Sequence, residues 1–177
     1  MGTTRKVAGS ATATVVGYRE EFREAFEQLN RAWIEEYFVL EEPDREVFSN
    51  PRAKILEPGG EIFFVLDGGQ VKGTCAVIRH NADDCEIAKM AVSPTARGRG
   101  FGDLLMEKAI AFAAEIGARR VIIVSNTVLE PAIRLYRRHG FVQVPLEADN
   151  RYQRANIRLE RELRSTEPAV MRPGADG

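Results

Sequence analysis

The chain has 177 residues, 44% of them apolar and 29% charged, with a formal net charge of −1 at pH 7. These values are typical of a globular domain with its own apolar core. Because no block of basic residues stands out, nucleic acid is not expected as a partner. The sequence shows neither an apolar run of membrane length nor a basic leader before an apolar stretch, so we expect no membrane partner and a cytoplasmic location.

Cysteine and histidine are both scarce. The two cysteines, Cys75 and Cys85, are predicted on neighbouring strands, where a bridge is conceivable but two reduced, buried thiols are favoured. The two histidines, His80 and His139, do not belong to a cluster with metal-ligand spacing. We therefore expect no metal site.

The first third of the chain predicts one strand and two helices. Residues 1–11 are small and polar and are expected to form a mobile end, whereas residues 12–18 are rich in Thr and Val and predict a strand. Apolar side chains recur every three or four residues over 20–37, which predicts an amphipathic helix. Residues 41–48 predict a short helix with a proline in its first turn.

Strands dominate the middle of the chain. A hairpin turn at 67–70 joins predicted strands over 61–66 and 71–79, and a third strand ends at Val92, so we expect an antiparallel meander. The later predicted elements are a helix over 103–116, a strand over 120–124, a helix over 129–139, and strands over 141–144 and 152–159. Residues 164–177 lose periodicity and are expected to form a loose tail.

The most informative stretch is Arg97-Gly98-Arg99-Gly100-Phe101-Gly102, which lies between a predicted strand and a predicted helix. Glycines allow close backbone approach to a ligand, and a helix start presents unpaired N–H groups with partial positive charge. Together they predict an anion site, most often for phosphate. The alternatives are a tight packing turn and a dinucleotide site. Against a dinucleotide site, the next strand is followed by Ser125-Asn126 rather than by an acid.

This stretch resembles the Arg/Gln-x-x-Gly-x-Gly/Ala pyrophosphate loop of the GCN5-related N-acetyltransferases, the GNAT family. The likeness covers about residues 62–158 and includes further motifs in the same order, namely Met90-Ala91-Val92, Ser125-Asn126, Pro131-Ala132-Ile133, Leu135-Tyr136 and Gly140-Phe141. The wording of these segments resembles bacterial GNAT domains of the type sometimes fused to MarR-type regulators.

The resemblance implies an α/β protein with the GNAT fold, built as a single acetyltransferase domain over residues 12–163. Its mixed, mostly antiparallel central sheet would have about six to seven strands, with helices on both faces. The sheet would splay apart at the strands that end near Val92 and Val124, and the pantetheine arm of the cosubstrate would lie in the resulting cleft.

The resemblance also implies that acetyl-CoA is the cosubstrate. Backbone groups at residues 90–92 would pair with pantetheine, and those at residues 97–102 would hold the pyrophosphate. The cofactor-binding set carried over is Met90, Ala91, Val92, Arg97, Gly98, Arg99, Gly100, Phe101, Gly102, Asn126 and Tyr136. A helix cap or an Asx turn is the alternative role for Asn126.

Two residues are candidates for acid–base chemistry. Tyr136 matches the family tyrosine that protonates the leaving thiolate, and a phenol suits that role because it stays protonated at neutral pH. Composition alone would make Tyr136 a core residue of its helix. Glu86 is the candidate base, acting through water from the strand that feeds the loop. Its alternative is a solvent-facing strand position.

Five further residues are candidates for the acceptor end of the cleft, namely Trp33, Tyr37, Phe38, Tyr152 and Arg154. The first three lie near the end of the apolar pattern over 20–37, where aromatic side chains suit either a pocket mouth or a core. The other two fall on the last predicted strand, where polar groups can also be satisfied structurally.

The sequence therefore predicts an acetyl-CoA-dependent N-acetyltransferase that acts on the primary amine of a small molecule or an amino acid. Two alternatives stay open: a protein or peptide N-acetyltransferase, and a non-catalytic acyl-CoA-binding module. The family also suggests a homodimer.

Overall fold

A computed structural model describes residues 3–5 and 13–163 of the chain. The strands in these ranges are β1 (Thr3–Arg5), β2 (Ala13–Val16), β3 (Glu61–Asp67), β4 (Gln70–Arg79), β5 (Asp84–Val92), β6 (Arg120–Ser125), β7 (Val142–Val144) and β8 (Ile157–Glu162). They form one sheet in the order β1-β2-β3-β4-β5-β6-β8-β7. Neighbours are antiparallel except β5 and β6, which are parallel.

The helices are α1 (Arg23–Tyr37), α2 (Glu42–Ser49), α3 (Phe101–Glu115) and α4 (Glu130–Arg138). A 3-10 turn at Glu20–Phe22 precedes α1, and a π-helical turn at Arg52–Leu56 follows α2. The start of α2 is fixed by a reciprocal capping box between Glu41 and Asp44 and by a proline in the first turn.

The sheet is covered by helices on both faces. Strand β3 shows why, because Phe63 and Val65 face the core beneath α3, whereas Ile62 and Phe64 face the core beneath α1 and α2. All four side chains are buried. Alternate residues of one strand point to opposite faces, so an uninterrupted apolar strand needs cover on both sides. The predicted α/β architecture with helices on both faces is confirmed.

Strands β2 to β8 account for the predicted six to seven strands. The eighth strand, β1, pairs with β2 and lies inside the segment expected to be a mobile end. Residues 1–2, 6–12 and 164–177, which include the expected loose tail, lie outside the described residues. The single domain over 12–163 stays a prediction.

The last strand begins later than predicted. Residues 152–156 are irregular, and β8 covers Ile157–Glu162. The first five residues of the predicted strand over 152–159 instead belong to a loop, from which Arg154 reaches Glu41 and Asp44. Tyr152 and Arg154 therefore project from a loop rather than from the sheet.

Strand β5 contains a bulge at Lys89. Three steps along β5, from Ala88 to Ala91, oppose two steps along β4, from Ala76 to Thr74. Lys89 has φ of 53°, in the left-handed region that residues other than glycine seldom adopt. The bulge exchanges the two faces of the strand: Cys85 and Ile87 belong to the core beneath α3, but beyond the bulge Met90 and Val92 pack there instead.

Strands β5 and β6 separate before the bulge, beyond Glu86 on β5 and Ile122 on β6. Their parallel pairing covers only Asp84 to Glu86 on β5 and Arg120 to Ile122 on β6. Further along, β5 still pairs with β4, and β6 still pairs with β8. Each strand therefore keeps one edge directed toward the opening, and the predicted splay is confirmed.

Cys75 and Cys85 are free, buried thiols, as the sequence favoured. Burial raises the pKa of both thiols. Within the described ranges, no helix is both long and apolar enough to cross a membrane.

Candidate active site

The opening between β5 and β6 forms a cavity of about 390 Å³. Its walls come from α1, β5, the end of β6, the start of α4 and the loop before β8. Most of the predicted site residues line it, namely Trp33, Tyr37, Phe38, Glu86, Met90, Ala91, Val92, Arg97, Gly102, Asn126, Tyr136, Tyr152 and Arg154. The fold therefore brings together residues that lie more than one hundred positions apart in the sequence.

The glycine turn leads directly into α3. Gly98 and Gly100 adopt φ of 77° and 80°, and Gly100 is the N-cap of the helix. A Cβ atom on either glycine would meet no atom of the described residues within 4 Å, so the space in front of the turn is open. The first N–H groups of a helix have no intrahelical partner and carry partial positive charge. The turn therefore offers an open, electropositive backbone cradle.

Not every residue of the turn faces the cavity. Arg99 forms an ion pair with Asp67 at 2.9 Å, and its guanidinium lies 4.7 Å from the ring centroid of Phe101. The Phe101 ring is buried in the core beneath α3. At Gly102 a Cβ atom would approach a Leu135 methyl at 3.2 Å, so glycine there lets α3 and α4 pack closely. The side chain that lines the cavity from this turn is that of Arg97.

Tyr136 lies on α4 at the wall of the cavity and is 8% exposed. Burial raises the pKa of its hydroxyl to about 12, and a hydrogen bond with Ser125 offsets only part of this effect. The hydroxyl is therefore protonated at neutral pH, as a proton donor must be. Tyr136 also packs in the apolar core, which is the role that composition alone gives it, and its acid role stays a prediction.

Glu86 lines the cavity from β5, and its side chain is 13% exposed. One carboxylate oxygen, Oε1, lies 2.9 Å from Nε2 of His80, a more exposed residue at the end of β4. This hydrogen bond raises the pKa of His80, and burial only partly opposes it. The imidazole of His80 therefore connects the Glu86 carboxylate to the solvent by a hydrogen bond. Sequence patterns alone do not connect the two residues, although a short turn joins their strands.

A buried charge cluster lies beside Glu86 and is absent from the predictions made from the sequence. Asp44 is fully buried and accepts hydrogen bonds from both terminal nitrogens of Arg154, at 2.6 and 2.7 Å, and from Nζ of Lys89. Lys89 also donates to the hydroxyl of Tyr152 at 3.1 Å. Glu41 receives a further contact from Arg154 at 3.4 Å. The cluster ties α2 and the loop before it to β5 and to the loop before β8.

The pKa values of the cluster follow from burial and charge. Burial alone would raise the pKa of Asp44, but hydrogen bonds from Arg154 and the charge of Lys89 bring it down to about 2. Burial lowers the pKa of the Lys89 ammonium more than Asp44 raises it. For Tyr152, burial followed by the nearby carboxylates raises the pKa of the phenol. Asp44 is therefore a carboxylate at neutral pH.

The Asn126 side chain holds two loops together. Its Nδ2 donates to the carbonyl of Arg154 at 2.7 Å, and its Oδ1 accepts from the backbone N–H of Val128 at 2.9 Å. The second contact is the Asx turn weighed as an alternative for this residue. Asn126 also lines the cavity, so a ligand contact remains compatible with the turn.

The aromatic residues of the acceptor end cluster around the end of α1. Trp33 and Phe38 contact each other edge to face, with ring centroids 6.4 Å apart. Tyr37 is 48% exposed.

Among the described residues, no group of three or more His, Cys, Asp or Glu side chains is arranged to hold a metal ion.

Known proteins resemble this chain in sequence. The residue pattern of the acetyltransferase (GNAT) family matches residues 18–141. An uncharacterized N-acetyltransferase of Schizosaccharomyces pombe is 28% identical over 121 residues, which are 66% of this chain and 74% of that protein. The mycothiol acetyltransferase of Corynebacterium glutamicum is 32% identical over 81 residues, 46% of this chain but only 28% of that protein.

Solved structures share the fold. A GNAT family acetyltransferase from Staphylococcus aureus Mu50 superposes with a TM-score of 0.78 at 17% identity, covering 86% of this chain and 99% of that one. A GNAT superfamily phosphinothricin acetyltransferase from Sinorhizobium meliloti, solved in complex with acetyl-CoA, gives 0.70 at 20% identity, with 85% and 88% covered. At such identities the likeness shows the fold alone.

Proposed function

We propose that this chain, which belongs to the acetyltransferase (GNAT) family, transfers an acetyl group from acetyl-CoA to the primary amine of a small molecule or an amino acid. The observation that carries the proposal is the cavity between β5 and β6. It is lined by Arg97 and Gly102 of the glycine turn, by Tyr136 and by Glu86. An anion cradle, a proton donor and a proton acceptor thus share one cleft.

The residues present fit acetyl-CoA. The open space before Gly98 and Gly100 suits a pyrophosphate, and N–H groups at a helix start bind such anions. The cavity-facing edge of β5 at residues 90–92 offers backbone groups to the amides of pantetheine. When bound, acetyl-CoA supplies an activated acetyl thioester. In the phosphinothricin acetyltransferase of similar fold, acetyl-CoA is present in the solved complex.

Two side chains accept and donate the protons of the reaction. A primary amine is mostly protonated at neutral pH and must lose a proton before it attacks. The Glu86 carboxylate takes this proton through water and, paired with His80, has a route to solvent. The Tyr136 hydroxyl keeps its proton until the leaving sulfur can accept it.

A substitution at Tyr136 tests the acid role. Tyr136→Phe should lower kcat for thiol release by roughly a hundredfold, the lower range for loss of a general acid. The affinity for acetyl-CoA, measured by calorimetry, should change less than about threefold because the ring packing survives. Tyr18→Phe is the matched control, since Tyr18 bonds Glu20 outside the cavity. Unchanged turnover in Tyr136→Phe would remove the acid role.

Several further predictions belong to the same proposal. Protein or peptide acetylation is the alternative that a more open groove would favour, and a non-catalytic acyl-CoA-binding module would bind acetyl-CoA without releasing thiol. The kinship with GNAT domains of the type sometimes fused to MarR-type regulators and the homodimer are proposed on the family resemblance, whereas the cytoplasmic location is proposed on the sequence pattern described above. No nucleic acid or membrane partner is proposed.

A further inference from the structure

Two cations at the acceptor end of the cavity are already neutralised by a buried carboxylate. Arg154 and Lys89 both line the cavity. Both terminal nitrogens of Arg154 are hydrogen-bonded to Asp44, and Lys89 bonds Asp44 and Tyr152. Charges held in a buried, fully paired cluster are costly to separate, because breaking the pair strands an uncompensated charge. Neither cation is therefore available to receive a carboxylate from a substrate.

Two carboxylates at the same end remain open to a ligand. Glu86 uses one oxygen for His80, and Glu36 lines the cavity from α1 with a side chain that forms no ion pair or hydrogen bond with another described residue. Asp44 and Glu41 balance Lys89 and Arg154, so Glu36 and Glu86 are the carboxylates at this end that no cation among the described cavity-lining residues balances. The remaining lining cation, Arg97, lies beyond the other end of β5. The strand ends at Val92, six residues after Glu86, which is on the order of 20 Å along an extended strand. Arg97 is therefore distant from the acceptor end.

The walls between these charges are aromatic and apolar. Trp33, Phe38 and Tyr37 line the cavity on the α1 side, and Leu29 lies one helical turn before Trp33. Such walls favour a ligand with an apolar body, while the open carboxylates favour a positive charge near it. A carboxylate on the ligand would face Glu36 and Glu86, and no unpaired cation of the described chain lines the cavity at this end.

We propose that the acceptor is a cationic amine with an apolar body and no acidic group, an arylalkylamine rather than an α-amino acid. This inference rests on the proposed acetyltransferase function and narrows its acceptor class. Phenethylamine and phenylalanine form the matched probes, because they differ only in one carboxylate.

Trp33 provides a direct readout of binding. It is the only tryptophan of the chain and lines the acceptor end. Calorimetry first establishes whether CoA binds. With CoA saturating, tryptophan fluorescence is then titrated with each probe, and thiol release from acetyl-CoA is measured in parallel. We expect phenethylamine to bind at least tenfold more tightly than phenylalanine and to be acetylated with a correspondingly higher kcat/KM.

A charge-neutralising pair of variants tests the electrostatic part. Glu36→Gln should weaken phenethylamine binding about three- to fivefold, the scale of one exposed charge interaction, and should leave phenylalanine binding unchanged. Glu35→Gln removes the same charge from the neighbouring residue, which pairs with Arg31 instead of lining the cavity, and should change neither.

The outcomes separate the two levels of inference. Equal or tighter binding of phenylalanine, or CoA binding without a response to either probe, overturns the acceptor assignment and leaves the acetyltransferase proposal standing. Absence of CoA binding overturns the proposed function itself, and the acceptor inference with it.

Discussion

Replacing Asp44 by asparagine should destabilise the protein far more than any neutralisation on the surface of the same helix. Asp44 is fully buried and serves Arg154 and Lys89 together. The variant keeps the side-chain shape but removes the charge that both cations require. Breaking a buried ion pair on one side costs about 3–5 kcal/mol, because the remaining charge stays desolvated.

The pKa of Asp44 gives an independent scale for this effect. Its fall from the ordinary 3.8 to about 2 corresponds to roughly 2 kcal/mol of folding free energy at neutral pH. Because the pKa is depressed in the folded state, this contribution is present above about pH 4 and is lost as the pH falls toward 2. About half of it should be gone near pH 3. The larger figure for Asp44→Asn exceeds it because the variant also leaves Lys89 and Arg154 without their partner.

Urea denaturation at pH 7 measures the free energy of unfolding directly. Glu42→Gln is the matched control, since Glu42 lies in the same helix with a 73% exposed side chain and a 3.6 Å contact to Arg45. Its loss should cost less than about 1 kcal/mol. The proposed role of Asp44 as the buried partner of both cations is wrong if Asp44→Asn costs no more than Glu42→Gln. It is also refuted if the gap between wild type and Asp44→Asn does not narrow between pH 5 and pH 3.

Three further changes probe the cradle and the base. Gly100→Val should weaken acetyl-CoA binding at least tenfold in calorimetry, whereas Gly117→Val, with φ of 81° and equally open space at the other end of α3, should cost stability alone. Equal affinities would place the phosphates elsewhere. Arg97→Ala should weaken acetyl-CoA binding more than Arg99→Ala, because Arg99 is paired with Asp67, and the reverse order would contradict this geometry. His80→Gln should lower the melting temperature more at pH 6 than at pH 9. The raised pKa of His80 stabilises the fold below about pH 6.5, and this stabilisation is lost as the pH rises. Equal decreases in melting temperature at both pH values would exclude the ion pair with Glu86.

The order of helices and strands could be predicted because each element has its own local hydrophobic periodicity. Strand β3 is apolar at consecutive positions, and α1 is apolar at every third or fourth position. Each pattern predicts the type of its element without information from the rest of the chain. The glycine turn is equally local, since positive φ and a helix start need only six residues. Strand β1 has only three residues, too few for a periodic signal, and was therefore missed.

The charge cluster could not be predicted in the same way. Asp44 lies 45 positions from Lys89 and 110 from Arg154, and each residue alone suits a solvated surface. Only the strand order and the course of the loop before β8 bring the three together. The residue Arg154 was singled out for the acceptor end and does line it, but its partners decide that it cannot serve as a free carboxylate receptor.

The bulge at Lys89 links the fold to the site in one step. Strict alternation along β5 would place Lys89 on the same face as Cys85 and Ile87, inside the apolar core beneath α3. The extra residue turns Lys89 to the opposite face, where Asp44 and Phe48 receive it. The bulge also bends the strand where its pairing with β6 has ended. One backbone irregularity therefore helps to open the cleft and places the cation that holds Asp44, so removing the Lys89 ammonium should disturb the acceptor end and the fold together.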